Sequence, residues 1–139
     1  MSSVSMQDVR RVLDPEEPDY AAMAWLGTDS LPHLRTLVQG DDLMLASKSA
    51  YAASLLEDDQ GQDVILSAAQ SDDPVLRVAA ASAAANLPAA SAANVLAGLA
   101  SDGDAGVRKV ALSSVPPDVP DELVSRLRDA ATEAGNNGS

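Results

Sequence analysis

The sequence predicts an all-α fold, an α-solenoid of antiparallel helix pairs, on three observations. The apolar fraction, 46% of the chain, is dominated by Ala, Leu and Val and contains no Phe. A side-chain pattern returns at a fixed offset of 31 without insertion, and aspartates recur where helices should begin. Ala is the best helix former, and its small side chain lets helices approach closely. Sheets favour β-branched and aromatic residues instead. At 139 residues, size alone gives one domain.

The elements follow in order. Residues 4–13 form a first helix with Val9, Val12 and Leu13 inward. Pro15 and Pro18 then leave room for only a short helix over 19–26. Together, residues 1–29 read as a degenerate cap. Three repeats follow, at 30–58, 59–88 and 89–117, each made of two helices. In the first helix of each unit Leu34, Ile65 and Leu96 share one phase, joined by Leu127 further on; Leu37, Ala68, Leu99 and Ala130 share another. Val38, Ala69, Ala100 and Ala131 supply a third, as expected of one buried helical stripe.

An Asp-rich turn separates the two helices of each unit: Gly40-Asp41-Asp42, Ser71-Asp72-Asp73-Pro74 and Ser101-Asp102-Gly103-Asp104. Asp before a helix caps its free amides and suits its positive end, and Pro is tolerated in the first turn. The second helices run over 45–56, 75–87 and 107–115, the last two closed by Pro88 and by Pro116-Pro117. Tyr20-Ala21-Ala22 lies one period before Tyr51-Ala52-Ala53, and Trp25, Leu56 and Leu87 share a phase. A capping helix over 120–134 completes a single domain, 1–134, and Gly-Asn-Asn-Gly-Ser at 135–139 reads as a disordered tail.

At Asp73-Pro74-Val75-Leu76-Arg77-Val78-Ala79-Ala80 and again at residues 104–111, the chain resembles the HEAT-repeat family. The resemblance is closest to the short bacterial and archaeal repeats also called phycobilisome-lyase-type. An Asp before the second helix, then an apolar-Arg pair with Ala three residues on, is matched by Leu76-Arg77 with Ala80 and by Val107-Arg108 with Ala111. The unit near Leu31 departs from it, with Ala46 in the Arg place. The resemblance covers roughly residues 30–132. It implies a right-handed superhelix with the first helices on the convex side and the second lining a concave groove. It also implies a ladder in which Arg77 and Arg108 pair with aspartates of neighbouring turns, in the series Asp42, Asp73 and Asp104.

Charge removes several functions. The net charge is −12, with nine basic residues, two of them lysines (Lys48 and Lys109), scattered along the chain. Nucleic-acid binding needs clustered cations, and anionic membranes repel such a chain. No nucleic acid and no membrane partner is therefore expected; a protein with a basic surface is. The start of the chain lacks the basic and apolar runs of a signal peptide, so a cytoplasmic protein is expected, and its high Asp and Ala with low Lys fit a prokaryotic source.

Chemistry-bearing residues are sparse. The chain has no cysteine and one histidine, His33, read as an exposed surface residue because no second His exists to share a metal. The pairs Asp41-Asp42, Asp58-Asp59 and Asp72-Asp73 read as caps rather than cation ligands. Residues 102–106 faintly resemble a calcium loop but lack its third acid and closing Glu. No catalytic residue, metal or cofactor is expected, and the chain is read as a non-enzyme.

The expected function is a protein-protein interaction scaffold or adaptor, a monomer, using the concave groove or the acidic turn edge. Candidate groove residues are Lys48, Tyr51, Val78, Ser82, Asn86, Lys109 and Ser113, at near-matching phases of the second helices. Tyr51 is equally read as packing on the neighbouring repeat. The alternatives are a self-associating assembly or chaperone-like subunit and a bilin-lyase-like HEAT-repeat protein.

Overall fold

The computed structural model describes residues 4–15, 19–56 and 60–137. Among these, nine α-helices follow one another with no strand: α1 Met6–Leu13, α2 Tyr20–Leu26, α3 Leu31–Val38, α4 Leu43–Ala53, α5 Gln62–Ala69, α6 Pro74–Ala84, α7 Ala89–Leu99, α8 Ala105–Ser113 and α9 Asp121–Asn137. A short 3-10 turn, Gly27–Ser30, joins α2 to α3.

Most starts are dictated by side chains. At α1, Ser5 Oγ accepts from the Asp8 amide and Asp8 Oδ2 accepts from the Ser5 amide, both at 3.1 Å. Asp19 accepts from the Ala22 amide at the start of α2. Asp42, Asp73 and Asp104 precede α4, α6 and α8 in near-identical extended conformations, with φ of −82°, −92° and −90°. Their side chains accept from the amides of Leu45, Val75 and Val107 respectively. Gly27, at φ +72°, supplies the left-handed residue that stops α2.

Contacts run mainly between helices adjacent in the chain and between every second helix, with α1 also reaching α4. Thus α1, α3, α5, α7 and α9 lie side by side in one layer, and α2, α4, α6 and α8 in the other. This all-helical, two-layer arrangement is compatible with an α-solenoid. The core is the seam between the layers. Leu34, Ile65 and Leu96 are fully covered, and Leu45, Leu76 and Val107 of the second layer are buried in the same cluster. Ala50, Ala52, Ala80, Ala81, Ala83, Ala84 and Ala111 are buried where α4, α6 and α8 press together. Side chains this small allow the close helix approach that the composition calls for.

Several details differ from the sequence-based expectation. Helices α4 and α6 stop three residues early, at Ala53 and Ala84, because the next residues switch to tighter i→i−3 bonds, such as Leu56 N to Ala53 O and Leu87 N to Ala84 O. Pro88 does not close α6; it stands at the N-cap of α7. Helix α9 runs through Asn137, so residues 135–137 of the expected tail are helical. No proline interrupts that stretch, and Gly135 lies beside the Arg108 side chain. Asp58-Asp59 and the tail's Gly138 and Ser139 lie outside the described residues. Trp25, in phase with buried Leu56 and Leu87, is 88% exposed. Its helix has α4 alone beside it in the second layer, so among the described residues no further helix flanks it there.

Candidate functional site

The outward face of the second layer is built by helix periodicity. Positions 44, 47, 48 and 51 of α4 are about one or two turns apart, so they share a face. One period on stand Val75, Val78, Ala79 and Ser82 of α6, and a further period on Gly106, Lys109, Val110 and Ser113 of α8. Because α4, α6 and α8 lie side by side, these positions form rows across the face. Ser82, Lys109 and Ser113 are exposed, and Val78 is half-buried. Met44 and Val75 are 67% and 56% exposed, large apolar side chains left in water at one phase.

The remaining candidates on this face hold the fold. Lys48 donates to the carbonyls of Pro15 at 2.8 Å and Asp14 at 3.4 Å, tying α4 to the end of α1. Tyr51 packs edge-on against Tyr20, with ring centroids 4.8 Å apart, so its partner is its own equivalent from the preceding period. Burial, and secondarily Tyr51, raises the Tyr20 phenol above its ordinary range. Asn86 donates to Ser54 Oγ at 3.1 Å, linking the ends of α6 and α4.

The expected arginine ladder is present at Arg77, which pairs with an aspartate of the neighbouring turn, though not with one of the capping aspartates. Asp42, Asp73 and Asp104 are occupied as caps, and Arg77 grips Asp102 instead, Nε to Oδ2 at 2.8 Å and Nη2 to Oδ1 at 3.2 Å. Both side chains are largely covered, at 20% and 11% exposure. Arg77 also donates to the Ser71 carbonyl, and Arg108 repeats that bond one period on, to the Asp102 carbonyl at 2.7 Å. Among the described residues no carboxylate lies within ion-pair distance of Arg108. The sequence carried a signal for Asp102: one period earlier, Ala46 stands in the arginine's place and Ser71 in the aspartate's.

His33 is not a free surface residue. Its Nε2 lies 2.6 Å from the Val4 carbonyl, holding the segment before α1 against α3. Proximity to charge also acts on Asp8. The Ser5 backbone and hydroxyl bonds, then Arg11 and His33, hold its carboxyl below the ordinary aspartate value. Among the described residues, no three His or acidic side chains converge as a metal site would require, and no helix is long and apolar enough to cross a membrane.

The acidic turns border a shallow, open concavity of about 630 Å³ at the start of α4 and α6, lined by Asp41, Asp42, Leu43, Met44, Ser47 and Val75. A second depression of about 370 Å³ adjoins it through Leu43 and reaches Ser71, Asp72 and Asp73. Neither has a basic residue in its wall. The sequence-based reading named the acidic turn edge as a possible contact surface, but Met44 and Val75 were not among its candidate residues. Compared with known proteins, the chain matches no protein-family model, no curated protein and no solved structure.

Proposed function

We propose that the chain is a non-catalytic protein-protein interaction scaffold, a HEAT-like α-solenoid with a right-handed stack, acting in the cytoplasm. Its contact surface is the outward face of α4, α6 and α8. The observation that carries the reading is the solvent exposure of Met44 and Val75 on helices that pack side by side and bury Leu45, Leu76 and Val107 in the core. Water-exposed apolar groups on a face that also carries exposed Ser82 and Ser113 have the composition of a binding surface. The motif at residues 73–80 and 104–111 supports the family assignment.

The test is site-specific photo-crosslinking in the producing cell, from Ser82 and Ser113 and, as controls, from exposed Asn94 and Ser125 of the other layer. A discrete product from the first pair alone supports the reading. Equal products from both layers, or none from Ser82 and Ser113, sink it.

Self-association is the second reading, supported by an apolar depression of about 310 Å³ between α7 and α9, lined by Ala93, Ala97, Leu123, Arg126, Leu127 and Ala130. Light scattering over a concentration series decides it, since a monomer throughout removes it.

A further inference from the structure

We propose that the concavity at the start of α4 and α6 receives a segment of a partner protein in which an apolar side chain is flanked by Lys or Arg. This rests on the scaffold reading and names the chemistry of what it holds. Leu43, Met44 and Val75 form the apolar floor, with Met44 and Val75 largely exposed. Methionine is unbranched and flexible, so it moulds itself to an incoming side chain.

The rim sets the sign of the occupant's charge. Each helix start offers about half a positive charge. Against this stand Asp41 and Asp42 at α4, and Asp72 and Asp73 at α6, four full negative charges over two helix starts. Asp42 and Asp73 spend one oxygen each on capping, and none of the four makes an ion pair among the described residues. The edge is therefore net negative beside an apolar floor. A second copy of this chain, at −12, would bring the same acidic turns, and nucleic acid or an anionic membrane would bring phosphate. A cationic peptide segment with an apolar anchor satisfies both halves of the site.

The experiment selects random displayed peptides on the immobilised full-length chain, then measures the winners against variants. The expected winners carry Leu, Ile, Met or Phe between basic residues, and their affinity falls as salt rises. Val75→Arg should weaken them on the order of tenfold, the loss of one apolar contact plus like charge. Asp41→Asn with Asp72→Asn should weaken them by a similar factor, and helical circular dichroism should be unchanged in both variants. Failure to enrich any peptide, winners without basic residues, or affinity unmoved by either variant overturns the proposal. A dimer of the chain alone that Val75→Arg dissolves makes the occupant a second copy and also overturns it. Crosslinks from Ser82 and Ser113 are read independently, so failure of this site leaves the scaffold reading standing.

Discussion

Two aspartate–arginine pairs show how burial decides what a charge contributes. Asp102 and Arg77 meet through two bonds and are largely shielded from water. Asp63 and Arg35 join α5 to α3 at 2.6 Å with about half of each side chain exposed. Removing Asp102 leaves a guanidinium short of partners in a covered place, so Asp102→Ala should cost about 1.5–3 kcal/mol in urea unfolding. Asp63→Ala should cost at most about 1 kcal/mol, because solvent already screens that pair. Equal losses would contradict the ranking. Asp8 supplies a pH test. Its folded-state affinity for protons is lowered, so its contribution to stability is present above the unfolded aspartate pKa and is lost as pH falls through the folded one. NMR titration should place Asp8 below ordinary aspartates, and Ser5→Ala should move it upward.

Among the elements, α5 begins at a glycine pressed against the end of α4. A Cβ built at Gly61 would collide with the backbone carbonyl of Ala53, which no side-chain rotation relieves. Gly61→Ala should therefore destabilise by about 1–3 kcal/mol, the usual cost of forced overpacking. Gly103→Ala, with open space around the site, serves as the control and should shift the urea midpoint far less. In the core, Ile65→Ala should cost about 2–5 kcal/mol. Helix existence and type were legible in the sequence because Leu34, Ile65 and Leu96 keep one phase and Asp42, Asp73 and Asp104 cap alike. Helix ends were less so. Nothing in the periodicity distinguishes an α-turn from the tighter turns after Ala53 and Ala84. The pairing of Arg77 with Asp102 rather than Asp104 depends on the path of the turn, which spacing alone does not fix.

At the scale of the molecule, two layers with contacts confined to near neighbours divide the surface between a packed seam and open outer faces. Helical phase in the sequence assigns the candidate residues to one set of helices but does not show which of them are free. Lys48, Tyr51 and Asn86 have the right phase, yet each has a partner supplied by an element elsewhere in the chain. Met44 and Val75 were passed over for the opposite reason. An apolar residue in a helix reads as core unless the neighbouring layer is known to miss it.

One consequence concerns how this chain can be watched. Its single indole, on Trp25, is already bathed in water. Native emission should lie close to that of the urea-unfolded chain, leaving tryptophan fluorescence nearly blind to the transition that far-ultraviolet ellipticity records. A large blue shift in the native spectrum would mean the ring is sheltered after all. A blue shift that arises only when a ligand is added would instead report something settling over α2.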